Sequence, residues 1–469
     1  MTQDVTVPSV AQELFPDLDL GDIRRNRRFQ TVVGDILDRP GQSLPQIFPD
    51  PTQYRACLNL FDAPEATHQR IFAAHRDAVL KHLATVTRPV LLIHDTTVLD
   101  YSGHTTLEDE NGPVGNGGGR GWLAHHTLAV DPADRTVFGL VGQILHVRRA
   151  VGRSESTAAK RDRLSRESRL WLQGIEGVGP NPEGTCRIDV ADRGADIFEF
   201  LAHLQSQGRR FVVRSSHNRA LGSDPSDEKA ESLLHDSMRS LPASTAWELK
   251  LPGRAGQKPR TVVLSVSYRR VELRPPHVKK GHYASRSLPM TAIRVWEADP
   301  PEGTVALEWL LLTGEACETV GEVHQVANWY SCRPQIEEYH KVQKSGVGIE
   351  GFQVQSAKKL QAMIAVVSAI AVAMMNLRLA ARDEKLREKP AEEFVPKEWV
   401  KVLQMALKAV LGKCPTGPMT VRDFWVGLSR LGGYQKNPQK HPPGWITLWR
   451  GWAAFRQMLV YHKAIAGAE

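Results

Sequence analysis

Residues 362–375 (AMIAVVSAIAVAMM) are apolar all the way round, with one serine among them. A helix of that pattern offers no polar face to water, and about 14 residues fall short of the roughly 20 that span a bilayer. The segment therefore predicts a helix enclosed on every side by other elements, which demands a sizeable core. At 469 residues the chain has room for two or three domains around such a core.

The periodicity of the remaining chain divides it. Over residues 10–85 apolar positions recur every three to four residues, as in amphipathic helices. The period then changes. Residues 89–97 (PVLLIHDTT) form a continuous apolar run ending in polar residues, the pattern of a buried strand. The glycine-rich stretch 112–121 lacks the GK[ST] of a P-loop and the spaced glycines of a dinucleotide fold, so it reads as a flexible loop. Leu123–Val130 and Arg135–His146 read as two strands about the turn 131–134, and Lys160–Trp171 as a charged helix. Residues 187–218 read as strand, loop, helix, strand. Residues 251–300 are rich in β-branched and basic residues, a β insertion ahead of Leu307–Thr313. Residues 320–382 are helical in pattern, Asp383–Pro396 reads as a linker, and 397–469 reads as helical apart from 432–444. This order is how an α/β, RNase-H-like core with an inserted β-rich subdomain would read. The expected division is a helical N-terminal domain over 1–85, a core over 86–382 with its insertion at about 220–315, and a C-terminal helical domain over 383–469.

Composition narrows the function class. The chain is 41% hydrophobic and 24% charged, which excludes disordered and fibrous classes. Lys and Arg outnumber Asp and Glu by 60 to 52, for a net charge of +8 and a pI near 9.2, a bias that permits a nucleic-acid partner without requiring one. The five cysteines are scattered, with no CxxC or Cys/His cluster, so a disulfide framework or zinc finger is not expected and a reducing cytoplasm fits. The first residues lack a basic-then-apolar signal pattern, and no membrane role is expected.

Tyr330, Arg333, Glu337 and Lys344 stand at intervals of three, four and seven. On one helix those intervals bring an aromatic, an acid and two bases near one face, a mixture unsuited to a hydrophobic core. It suits a carboxylate that holds a metal ion beside bases that hold phosphates. Pro334 favours a helix start at that point, which would leave Tyr330 and Arg333 on the turn before it. Asp95 and Asp192 each follow a buried-strand pattern, and residues at strand ends often line active sites in open α/β sheets. Taken singly, each acid is more often a cap or surface residue.

Together these residues resemble a known family. The spacing Tyr-x2-Arg-x3-Glu-x6-Lys, with His94-Asp95-Thr96-Thr97 and Asp192-Arg193-Gly194-Ala195-Asp196, is similar to the DDE transposases of the bacterial insertion-sequence-four family. Residues 20–25, 211–215, 307–313, 431–434 and 445–452 also look like family segments, so the likeness spans nearly the whole chain. Pro334 departs from the aromatic often found at its position. The resemblance implies a triad of Asp95, Asp192 and Glu337 holding two Mg²⁺ ions, with Mn²⁺ able to substitute. It implies that Tyr330, Arg333 and Lys344 grip a 5′ phosphate, and that Arg214 makes a phosphate contact where an edge-strand surface Arg is the ordinary reading. Trp309 is implied to stack on a base flipped from the transposon end, against the plain alternative of a core tryptophan. Arg24, Arg25, Arg27 and Arg28, a compact cluster that could equally be a solvated helix face, move toward DNA contact. The implied activity is cut-and-paste transposition by a cytoplasmic, nucleoid-associated protein. Its partners are double-stranded DNA with terminal inverted repeats, target DNA, and a second copy in a synaptic dimer. A metal-dependent nuclease without strand transfer, or a catalytically silent DNA-binding derivative, shares parts of the same pattern.

Overall fold

The computed structural model describes residues 7–107, 110–115, 118–149, 163, 166–222, 232–251, 260–276, 287–380, 386–412, 417–438 and 443–466. Five helices come first: α1 (Val7–Leu14), α2 (Ile23–Asp38), α3 (Leu44–Ile47), α4 (Pro51–Asp62) and α5 (His68–Leu83). Their starts are written in the sequence. Asp22, Asp50 and Thr67 cap α2, α4 and α5 by accepting hydrogen bonds from first-turn amides, and Pro51 opens α4.

One mixed sheet then forms the centre. Its strands are β1 (Val90–Asp100), β2 (Gly112–Val114), β3 (Gly119–Val130), β4 (Val137–His146), β5 (Arg187–Ala191), β6 (Arg210–Arg214), β7 (Thr245–Leu251), β8 (Arg260–Leu273), β9 (Leu288–Glu297) and β10 (Glu308–Thr313). The order is β2-β3-β1-β5-β6-β10-β9-β8-β7, with β4 also on β3. β1 is antiparallel to β3 and parallel to β5, and β5 is parallel to β6. The remaining pairs are antiparallel.

Three expectations change here. The stretch 112–121 is a tight antiparallel hairpin of β2 against the start of β3, with residues 116–117 outside the described residues. Its glycines permit close strand approach, since a Cβ on Gly121 would meet the Leu99 carbonyl at 2.0 Å. The β insertion does not stand apart, because β10 pairs with β6 and carries β9, β8 and β7 outward in the same sheet. The charged helix expected over Lys160–Trp171 falls partly outside the described residues, which leave out 160–162 and 164–165. Glu167–Arg169 is a 3-10 turn, and the helix α6 runs from Leu170 to Val178.

Helices cover both faces. Leu91 and Ile93 of β1 join Ile188, Val190 and Val212 on one face, in the cluster that contains α11 (Ala357–Ala380). Ala191, Phe211 and Val213 face the other way, onto α6 and α7 (Phe198–Ser206). α8 (Leu234–Ser240) lies against β8 and β9. The apolar helix expected from the sequence is α11. Its span 357–376 is long and apolar enough to cross a membrane by length and composition alone, yet 78% of that window is buried within the protein. It is the central helix of the core.

The helical stretch expected over residues 320–382 is broken. α9 (Val320–Ser331) ends before Pro334 opens α10 (Pro334–Lys341), and a π-turn, Val342–Gly346, follows. Tyr330 therefore lies in the last turn of α9, rather than on a free turn, while Arg333 is the residue preceding Pro334 as expected. The C-terminal helices α12 (Lys397–Leu411), α13 (Val421–Leu431) and α14 (Trp445–Ala466) pack on one another. Part of the expected linker, residues 383–385, and residues 439–442 of the Gly/Pro-rich stretch lie outside the described residues.

Candidate active site

The parallel ladder between β1 and β5 runs from Val90↔Arg187 to His94↔Ala191 and stops. Asp95 on β1 and Asp192, the first residue past β5, come next in each segment, so two acids far apart in sequence emerge side by side. Asp95 is not at a strand end, as the apolar run suggested. β1 continues to Asp100 because β3 keeps pairing with it on the other side. Alternation puts Asp95 on the same face as Leu91 and Ile93, toward the helices. Asp192 caps the 3-10 turn Arg193–Ala195 and accepts from Gly194 N at 2.8 Å.

Glu337 comes from the first turn of α10. All three carboxylates meet at one guanidinium. Arg333 Nη2 lies 2.8 Å from Asp95 Oδ2 and 3.2 Å from Asp192 Oδ2, and Nη1 donates to Glu337 Oε1. The Arg333 side chain is 14% exposed, and its Nε is buried with no hydrogen-bond partner. Burial opposes its charge, but Asp95, Asp192 and Glu337 outweigh that and raise its pKa. Asp95 moves the other way from an ordinary acid. Burial pushes it up to about 6, Asp192 and Glu337 add to the rise, and Arg333 and the Thr96 amide offset part of it. Among the described residues no three His, Cys, Asp or Glu side chains form a ready metal-holding group. In the observed arrangement the carboxylates share the arginine.

The other acids nearby are engaged elsewhere. Glu338 pairs with Lys341 at 3.3 Å. Asp196 is fully buried, bound by Arg219 and by the amides of Ser216 and His217. Asp189 is held by His94 at 2.9 Å and by Arg209, which marks it as structural.

Beside the carboxylates stands a basic and aromatic group. Tyr330 is 5% exposed, and its phenol, raised in pKa by burial, faces Arg214 and Arg333. Arg214 Nη2 also donates to the Glu308 carbonyl at 2.7 Å. Trp309 is half-buried, with its ring 5.4 Å from that of Tyr330 in an edge-on contact. It borders a cleft of about 290 Å³ also lined by Trp247, His324 and Asn328. Lys344 sits further along, donating to the Val98 carbonyl at 2.9 Å and pairing with Glu350 at 3.1 Å.

Sequence reasoning missed the histidines behind Asp95. His340 Nδ1 lies 3.9 Å from Asp95 Oδ2, and His340 Nε2 is 3.1 Å from His126 Nδ1. His126 is in turn held by Gln143, which bonds Ser368 and His68. His340 follows Glu337 by three residues on one helix, so spacing alone could have flagged it. His126 could not be found that way, because it reaches the site only through the strand register Asp95↔His126.

The N-terminal arginines divide into two pairs. Arg25 is fixed by Glu65 at 2.6 Å and by the Leu20 carbonyl at 3.1 Å, and Arg28 donates to Gln53. Arg24 and Arg27 are exposed on α2. Residues 8–66, which include this cluster, match the family model of transposase DNA-binding domains, which supports a transposase with DNA as its partner.

Proposed function

We propose that the chain is a DDE transposase of the insertion-sequence-four family, acting by cut-and-paste chemistry from an RNase-H-like core. One observation carries this reading: Asp95 from β1, Asp192 from the turn after β5 and Glu337 from α10 converge on a single cationic group. The transposase DNA-binding match over 8–66 and the strand order β4-β3-β1-β5-β6 support it.

The donor set suits a hard divalent cation. It is three carboxylates around one guanidinium, so their formal negative charge exceeds the positive charge they share, and a dication would offset it. Asp95, Asp192 and Glu337 would hold two Mg²⁺ or Mn²⁺ ions, which activate the attacking oxygen and stabilise the leaving one in phosphoryl transfer. The chain's own groups orient the DNA. Arg333, Arg214, Lys344 and Tyr330 provide donors around a phosphate at the cut, with Arg suited to a two-point grip and Lys to a point charge. Trp309 and its cleft would receive an extruded base, whose stacking offsets part of the unstacking cost. Arg24 and Arg27 would hold end DNA through its phosphates. Water nicks one strand at the element's end. The freed 3′ hydroxyl displaces the opposite strand's phosphodiester to give a hairpin, which water reopens, and the same hydroxyl then joins target DNA. Each step is an in-line displacement at phosphorus, so one site serves all of them. The working form is a dimer holding two ends, with residues 383–469 contributing contacts, in the cytoplasm where the DNA lies.

The test is incubation of the purified protein with Mg²⁺ and DNA bearing candidate ends, with products resolved on a denaturing gel. Hairpins and joined products that disappear in Glu337→Ala are expected. Nicks without hairpins or joining would replace this reading with a nuclease, and binding without any cut would replace it with a silent DNA-binding protein.

A further inference from the structure

The point where the three carboxylates converge is filled by a side chain of the protein itself. Arg333 bonds a carboxylate from β1, another from the end of β5 and a third from α10. An arginine present only to grip DNA has no need of all three acids. Its remaining contacts are incomplete in an informative way. Nε is buried and unpaired, so one edge of the guanidinium fork has an unused donor, and Tyr330 with Arg214 lies beside it. A phosphate placed there could take two parallel hydrogen bonds from Arg333, which the separated carboxylates do not give it.

We propose that Arg333 is a built-in counterion that holds the cation position of the DNA-free protein, and that a DNA phosphate draws it away, making divalent-cation binding depend on DNA. This rests on the assignment of Asp95, Asp192 and Glu337 made above. Without a counterion, three acids drawn together repel one another and favour a cation between them; with Arg333 they are gathered at a formal net charge of −2. A dication entering that centre competes with the guanidinium for the same oxygens. Once the arginine turns to a phosphate, those oxygens become available together. Cation and DNA then raise one another's affinity by the same factor. Arg333 is well placed for the exchange. It sits at the junction of α9 and α10, so its side chain turns without disturbing the body of either helix. The device also keeps the free enzyme from holding an activated metal where no substrate is bound.

The experiment measures Mn²⁺ binding to the full chain without DNA, by calorimetry and by the electron paramagnetic resonance signal of free Mn²⁺. Arg333→Gln keeps the hydrogen-bonding shape and removes the charge. It is expected to bind Mn²⁺ at least ~10-fold more tightly than the parent, within the usual range of coupling between sites. Arg333→Lys, which keeps a charge but loses the fork, should fall between them and guards against misfolding of the glutamine variant. Adding Asp95→Asn to Arg333→Gln should abolish the gain. Unchanged Mn²⁺ affinity in both Arg333 variants, with binding still lost in Asp95→Asn, overturns the counterion role and leaves the triad standing. A gain that survives Asp95→Asn puts the ion elsewhere and overturns the triad assignment together with this inference.

Discussion

Asp95, Asp192 and Glu337 differ in surroundings although they share one partner. The Asp95 side chain is 14% exposed, that of Asp192 31% and that of Glu337 47%. Buried Asp95 is thus the least replaceable. Asp95→Asn, Asp192→Asn and Glu337→Gln are each expected to lower cleavage by more than the roughly 10–100-fold that loss of an outer partner of a metal ligand costs, while end binding persists. Glu338→Gln, whose carboxylate faces Lys341, should cleave normally, and the gel assay separates the two outcomes. Asp189→Asn belongs to a different class. Its carboxylate is 2% exposed and neutralises Arg209, so its loss leaves a buried charge unpaired and should cost about 3–5 kcal/mol in a denaturant melt.

At the level of elements, the basic face of α2 separates binding from support. Arg24→Ala with Arg27→Ala removes two exposed charges and should flatten the log–log salt dependence of end binding by about 2 units. Arg25→Ala, which releases Glu65 and the Leu20 carbonyl, should lower the melting temperature and leave the slope nearly unchanged. The sequence showed four arginines and could not tell the pairs apart, because Glu65 lies forty residues away and only folding brings it back. Strands and helices with strong periodicity, such as β1, β6 and α11, were legible. The hairpin at 112–121 was not, since its glycines imitate a loop, and neither was the joining of the insertion to β6, which depends on pairing between distant strands. The motif singled out Asp95, Asp192 and Glu337, which the fold does bring together, whereas their shared contact with Arg333 was not legible, since spacing suggested only that Arg333 and Glu337 were neighbours. Among the C-terminal helices, α13 and α14 cross at glycines. A Cβ on Gly451 would lie 1.7 Å from the Leu428 carbonyl, so Gly451→Ala should cost roughly 1–3 kcal/mol or more of stability, seen as a lower melting temperature.

Across the whole molecule, buried histidines set the response to acid. Burial lowers His75 to about 4 and His340 to about 3, and pushes His125 and His126 well below their ordinary value. Unfolded histidines take up protons near pH 6.5 while these remain neutral, so the stability they contribute is complete above 6.5 and falls as pH drops toward 4 and 3. Asp95, raised to about 6, acts in the opposite sense between about 6 and 4, and Asp35, also raised by burial, acts with it, two acids against several histidines. Thermal melts should therefore show a melting temperature steady near pH 7.5 and falling steadily from pH 6.5 to 4.5; a flat profile would contradict the neutral, buried assignment. The continuity of the sheet has a further consequence. Asp95 stands on β1 and Trp309 on β10, three strand spacings away through β5 and β6. At about 4.8 Å per spacing, their strand axes are about 14 Å apart. On the proposed reading the protein carries a molded ruler, with hydrogen-bonded rungs as its graduations. The offset between the phosphate that is cut and the base that is held is then a property of backbone count. Substituting side chains can weaken either grip, but moving the cut by a nucleotide would take the gain or loss of a strand.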